Sequence, residues 1–594
     1  MGDHAGSSRL RSGAGANGHS LWKEVGELSR LAGPVFISHL MVFSISIVSA
    51  IFCGHLGKVE LDAVSLATAV INVSGISIGV GLSAACDTLV SQTFGSKNLK
   101  RIGVILQRGI LILMIACFPC WALFINTEHI LLAFKQPPEV ANLTQLYVKI
   151  FIPGLPATFL YELENRYLQN QGIILPQIVT GFTANIFNVV INYILLYVVM
   201  LGVPGSAAAN VVSQYCQAIL LFIYIRWKKL YVETWAGWST DCLQEWGCFI
   251  QLAVPSMLML CIEWWTFEIG IFLAGLIGEV ELGAQAIMFQ VISAAYMIPL
   301  GISMAVGISV GNALGAGDPQ QAKTYAKVGL CCAGCCALMI SFLLASIKDV
   351  VGYIFTTDKE IVRLVARVDP LIAFFHFFNA MTSPCFHPFC EHCMLTRNVN
   401  PGVLKPIVAH LTFVLAEISS LNTDQCVSTG VLIGAGKQKV GAIVNLIVFY
   451  AIGYPIGISL MFAAKLGILG LWSGMFTAVV VQFIVFQSVI LKLNWKKTSD
   501  QARVNAGVKH NVDASSSPSG GQTENILTEE IEEEKNYTEL ERLLDESTTT
   551  QPDVTVRDVL LMKQLVIRRG LAFLSGPLIL AIGLMIHFTV AMDL

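Results

Sequence analysis

The chain has 594 residues, of which 55% are hydrophobic and only 13% charged, with a mean hydropathy of +0.67. Soluble domains average about 25% charged residues, so this composition excludes a secreted, nucleic-acid-binding or cytosolic globular protein and points to the bilayer. The net charge of −3 conceals a split: Thr498 to Val556 holds thirteen Asp and Glu against four Lys and Arg, a segment at −9 that leaves the remainder at +6.

The first residues, Met1 to Ser20, are Gly- and Ser-rich with no apolar core, so no cleaved signal peptide is expected and residues 1–24 read as a disordered tail. Apolar runs bounded by Gly, Pro and charges then predict spans near 34–54, 61–88, 107–126, 145–168, 174–199 and 205–226. A second set follows near 249–275, 281–310, 326–346, 364–381 with a resumption after 426, 439–462 and 467–491. Residues 498–558 read as an acidic, disordered linker, and 571–592 as a thirteenth span. Positive residues follow spans two, six, eight and twelve (Lys97, Lys100 and Arg101; Arg226, Lys228 and Lys229; Lys323 and Lys327; Lys492, Lys496 and Lys497), with the loop after span nine, Lys348 to Arg367, an exception diluted by Asp349, Asp358 and Glu360. That pattern places the N-terminus in the cytoplasm and, across the last span, the C-terminus outside. Cys53, Cys117, Cys261 and the Cys331, Cys332, Cys335, Cys336 set lie in apolar runs and read as free, buried thiols.

An internal repeat organises these spans. Leu31-Ala32-Gly33-Pro34 recurs as Leu252-Ala253-Val254-Pro255, and GHLGKVELDA from Gly54 recurs as GLIGEVELGA from Gly275, both at an offset of 221. Gln92 to Gly95 lines up with Asn312 to Gly315 at 220, and Pro153 with Pro370 at 217. Six spans separate each pair, so the expected fold is all-α and integral to the membrane: two parallel six-helix repeats, residues 25–240 and 241–497, forming a twelve-helix, two-lobe transporter with the thirteenth helix appended. Gly172 matches Gly436 only at 264, which exposes an insert at about 382–424. It contains Cys385, His387, Cys390, His392 and Cys393, but five ligand types crowded into nine residues lack the spacing of a zinc site, so no metal is expected.

Ionisable residues at membrane depth are costly and mark candidate sites. Span seven carries Glu263 near its middle and Glu268 five residues on, about 140° round the helix. A carboxylate taken out of water holds its proton more tightly, so such a group can alternate between a proton and a cation. Trp264, Trp265 and Phe267 offer aromatic faces to organic cations. His376 with Asp369, Asn72 with Ser74, and Tyr296 complete the cavity candidates; ordinary packing is the competing reading for each. No nucleophile elbow, phosphate-binding loop or HExxH sequence is present, so neither an enzyme nor a nucleotide-driven pump is indicated, and no cofactor is called for.

These residues resemble the multidrug and toxin extrusion (MATE) family, and within it the animal proton/organic-cation antiporters. The likeness rests on CGHLGKVELDAV (Cys53 to Val64), the stretch Ala85 to Gly109, PSMLMLCIEWW (Pro255 to Trp265), VGNALGAGD (Val310 to Asp318) and GKQKVGAIVN (Gly436 to Asn445). The resemblance implies exchange of protons for small organic cations by alternating access, residence in the apical plasma membrane of epithelia, and coupling or substrate roles for Glu263 and Glu268; a monomer is expected. Two further acidic positions of the family hold Gln290 and Asn379 here, and an amide cannot exchange a proton. A rival function within the same broad fold is a lipid-linked carrier flippase, which would need a basic cavity.

Overall fold

The computed structural model describes residues 8–347, 350, 352–353, 359–368, 423–508 and 562–593, and all regular structure among them is helical. The first repeat holds α1 (Ser8–Gly54), α2 (Lys58–Ile71), α3 (Ser77–Gly95), α4 (Leu99–Ile125), α5 (Thr127–Ala133), α6 (Pro138–Phe151), α7 (Gly154–Gln169), α8 (Leu175–Tyr193) and α9 (Val203–Trp227). The second holds α10 (Trp246–Gly275), α11 (Glu279–Ala316), α12 (Pro319–Ile347), α13 (Thr423–Gly434), α14 (Gln438–Asn445), α15 (Tyr454–Ile458) and α16 (Ile468–Lys492), followed by α17 (Trp495–Asn505) and, at the C-terminus, α18 (Met562–Asp593). Hydrocarbon offers backbone amides no partner, so long apolar segments close their hydrogen bonds within themselves. Among the described residues ten helices are long and apolar enough to cross a membrane, or eleven if α6 and α7 count as one span bent by 55°. The bend falls at Pro153, whose ring blocks continuation of α6.

Among the described residues four segments are π-helical: Asn72–Ile76 between α2 and α3, Ile194–Val198 after α8, Leu446–Gly453 after α14, and Ser459–Ala463 after α15. The duplication read from the sequence is repeated in the torsions. Gly172 and Gly436 turn with φ of 76° and 71°, Met200 and Lys465 with 56° and 55°, and Gly202 and Gly467 with 61° and 59°. Each lobe has its own apolar core. Phe124, Phe151 and Phe159 anchor the first, joined by Phe249 from the start of α10, while Val306, Val310, Val431 and Phe486 occupy the second. The connection between lobes is tied to α4: Gly103 N donates to the Thr234 carbonyl at 3.1 Å, Gln107 Nε2 to the Gly237 carbonyl at 2.7 Å, and Arg101 pairs with Glu245 at 2.7 Å.

Several expectations need correction. The backbone is helical from Ser8, within the tail read as disordered, because α1 extends well ahead of the apolar run. The linker read from residue 498 starts later, since α17 covers Trp495–Asn505, with Ala502 and Thr498 buried. The helix after the insert begins at Thr423 rather than beyond Asp424. Cys53, Cys117 and Cys261 are buried thiols as read, but Cys335 is exposed and Cys331, Cys332 and Cys336 only part-buried. The rest of the insert, with Cys385, His387, Cys390, His392 and Cys393, lies outside the described residues, as do Asp369, His376 and Asn379.

The C-terminal part of α18 lies along α4 and α5. Asn126 Nδ2 donates to the Gly583 carbonyl at 2.9 Å, Gly583 sits against Ala122, and Gly576 against Phe118. Two glycines seven residues apart share one face of a helix and let backbones approach, the usual device for packing in lipid.

Candidate functional site

Glu263 and Phe267 are four residues apart on α10, and Phe289 and Tyr296 seven apart on α11, so each pair shares a face. The two faces meet. Tyr296 Oη donates to Glu263 Oε1 at 3.3 Å, and the rings of Phe267 and Phe289 lie 5.7 Å apart. Trp265, two residues past Glu263, points the other way and donates from Nε1 to the Val73 carbonyl at 3.1 Å. That carbonyl belongs to the π-helical Asn72–Ile76 stretch and also accepts from Ser77 Oγ at 2.8 Å. A π turn displaces the regular hydrogen-bond ladder, which leaves a carbonyl for a side chain from the other lobe. Asn72 opens this stretch and is part-buried.

The predicted residues therefore divide. Glu263, Phe267 and Tyr296 are brought together. Trp265 and the Asn72 stretch form a neighbouring contact between lobes, while Trp264, Glu268 and Gln290 are part-buried nearby on α10 and α11. Among the described residues neither Glu263 nor Glu268 forms an ion pair. Tyr454 Oη donates to the Thr266 carbonyl and so fixes α10 between the two acids.

A second charged centre, not singled out from the sequence, lies in the first lobe. Arg166 Nη1 on α7 donates to Asp87 Oδ2 on α3 at 2.5 Å, Asn170 Nδ2 donates to Asp87 Oδ1 at 3.1 Å, and Glu162 Oε2 lies 3.9 Å from Arg166 Nε. The Arg166 and Asp87 side chains are 7% and 8% exposed. His39 Nε2 is buried close to Arg166 without a hydrogen-bond partner, and Glu164 Oε2, two residues from Arg166 on α7, is likewise buried without one. The signal was available: Asp87, Glu162, Glu164 and Arg166 all fall inside predicted spans, and the rule that flagged Glu263 applies to each of them.

The helical fold and the sequence both have known counterparts. The MatE family model matches residues 34–194 and 255–388. Multidrug and toxin extrusion protein 1 of Danio rerio is 51% identical over 577 residues, covering 95% of this chain and 90% of that protein. The Homo sapiens protein of the same name is 49% identical over 580 residues, covering 96% and 94%, and multidrug and toxin extrusion protein 2 of Mus musculus is 48% identical over 579, covering 96% and 93%. The chain belongs to the MATE family.

Among solved structures, the eukaryotic MATE transporter AtDTX14 superposes with a TM-score of 0.72 at 26% identity, covering 82% of this chain and 99% of that one. The Vibrio cholerae MATE transporter VcmN in its bent form shares the fold at a TM-score of 0.63 and 16% identity, covering 82% and 99%. Membership of the MATE family makes this a multi-pass transporter rather than an enzyme. The MATE lobes meet where Thr88 Oγ1 donates to the Ile433 carbonyl at 2.6 Å and Gln92 Nε2 to the Gly434 carbonyl at 3.0 Å. Gln438 Nε2 donates back to Thr88 Oγ1 at 2.6 Å.

Proposed function

We propose that this chain is a multidrug exporter that exchanges small organic cations for protons by alternating access of its two lobes, as a monomer in the plasma membrane, apical in epithelia. The observation that carries the reading is Glu263. It is a carboxylate within an apolar helix, touched by the Tyr296 hydroxyl at 3.3 Å, one turn from Phe267 on the same face, and without an ion-pair partner among the described residues. Such a group needs a positive companion or a proton, and exchange supplies each in turn. Glu268 and Phe267 add charge and an aromatic face on the same helix. The flippase reading would call for bases, whereas α10 carries two acids and neither Lys nor Arg.

The reading keeps the N-terminus in the cytoplasm and the C-terminus outside. Vesicles loaded at low pH should accumulate a quaternary ammonium tracer faster than vesicles at equal pH on both sides. Glu263→Gln should abolish the gradient-driven component, since an amide neither takes up a proton nor balances a cation. Uptake indifferent to the gradient in the unaltered protein would leave facilitated diffusion instead.

A further inference from the structure

We infer that Glu162, beside the Arg166 and Asp87 pair, is a second proton-binding position of the exchange, housed in the first lobe. The inference rests on the proton-exchange reading above and extends it to residues outside α10.

Asp87 and Glu162 share one guanidinium, so the group carries −1 when both are ionised, between the membrane-length helix that includes α3 and the bent pair α6 and α7. An unbalanced charge buried in a low-dielectric interior is strongly unfavourable, and one proton removes it. Asp87 is engaged by two donors, at 2.5 Å from Arg166 and 3.1 Å from Asn170. Glu162 stands off at 3.9 Å, with its side chain 14% exposed, and is the carboxylate placed to accept and release that proton. The other titratable and charged groups are placed round the pair rather than on Glu162 itself: His39 from α1 faces Arg166, and Cys86 from α3 faces Asp87 and Arg166, with Arg108 of α4 beyond it, while Tyr161 neighbours Glu162 on its own helix; α11 presents the Met304 sulfur, 3.5 Å from Arg166 Nη1.

The duplication then separates architecture from function. At the offsets of the repeat, Asp87 corresponds to Gly307, Arg166 to Gly430 and Glu162 to Cys426. In the second lobe the same crossing is made by glycines: a Cβ at Gly307 would lie 2.9 Å from the Gly430 carbonyl. Because α11 and α13 cross there without any charge, the fold does not require ions at this point. Conversely, Glu263 corresponds to Val42 and Glu268 to Ile47 in the first lobe. Each lobe therefore carries an acidic centre where the other is apolar. The contact of Arg166 with Met304 places the first-lobe centre against the second lobe, so rocking of the lobes alters what surrounds Glu162.

The test uses the full chain in vesicles, with tracer exchange measured across a pH series and proton movement followed by a trapped pH dye. Two linked protons give a steeper pH dependence than one, so Glu162→Gln should lower the slope from about two protons per cation to about one while exchange continues. Glu162→Asp, which keeps a carboxyl, should restore the slope and move the midpoint. An unchanged slope and proton count in Glu162→Gln overturns the inference. Should that variant fail to reach the membrane, an unchanged slope and midpoint in Glu162→Asp overturns it equally. If the unaltered protein moves tracer with no proton, the exchange reading itself fails, and the two failures are distinct.

Discussion

Gly95 and Gly315 stand at the same place in the two repeats, and each is pressed against the helix of the other. A methyl group on Gly95 would overlap the Asn312 carbonyl, and one on Gly315 the Gln92 carbonyl. Asn312 and Gln92 are themselves equivalent, so α3 and α11 cross about a local two-fold axis, an isologous contact within one chain. Ser91 packs on Gly311, its own counterpart, and marks where that axis passes.

Close approach at this crossing depends on the missing side chains. Gly95→Val and Gly315→Val should each destabilise the protein by about 1–3 kcal/mol, as overpacking does. Melting in detergent should fall for both, whereas Gly33→Ala, with nothing within 4 Å of its Cβ position, should leave it unchanged or higher.

The polar tie beside the crossing is weaker and adjustable. Thr88→Val removes the hydroxyl that donates to the Ile433 carbonyl at 2.6 Å and accepts from Gln438. A hydrogen bond of this kind contributes about 1 kcal/mol, so the balance between closed and parted lobes should move about fivefold. Spectroscopic labels on α3 and α13 would report the change as a longer mean separation.

At the α10 site, Tyr296→Phe retains the ring and deletes the donor to Glu263 Oε1. A hydrogen bond to a charged group contributes about 1.5–3 kcal/mol. The concentration of tracer cation needed for half-maximal exchange should therefore shift by about tenfold or more, with surface abundance unchanged. Equal values for both proteins would show that the hydroxyl does not act on the site.

Docking of the C-terminal helix should yield to one bulky residue. Gly583→Leu pushes against Ala122 and disturbs the bond from Asn126 to the Gly583 carbonyl. Engineered cysteines on α4 and α18 that cross-link readily in the unaltered protein should do so poorly in this variant.

Gly172 and Gly436 make the same left-handed turn at φ of 76° and 71°, yet lie 264 residues apart where earlier repeat pairs lie 217 to 221 apart. Deleting Thr382 to Asp424 restores an offset of 221. The shortened chain should reach the cell surface in greater amount and exchange tracer faster; loss of surface protein would identify the segment as an integral part of the fold.

Helix placement was legible because apolar runs and their Gly and Pro boundaries act locally. Spans read at 174–199 and 467–491 emerge as α8 with its π stretch, to Val198, and as α16 at Ile468–Lys492. Glu263 was legible for the same reason, as a charge inside such a run. Its link to Tyr296 was not, since that depends on which faces of α10 and α11 meet. Arg166 was harder again: a base inside a span looks like a span end until Asp87, 79 positions earlier, is known to pair with it.

The π-helical stretches also record the order of events since the two halves diverged. Ile194–Val198 and Ser459–Ala463 sit at equivalent places, so that irregularity is common to both halves. The other two are private. The offset drops from 221 to 220 across Asn72–Ile76, and rises from 264 to 265 across Leu446–Gly453, so each stretch absorbs a single residue gained by one half or lost by the other. A helix takes up one extra residue most cheaply as a π turn, without rotating everything beyond it. The Val73 carbonyl that holds Trp265 is thus a legacy of one codon, and ancestry as well as chemistry has made the halves of this transporter unlike.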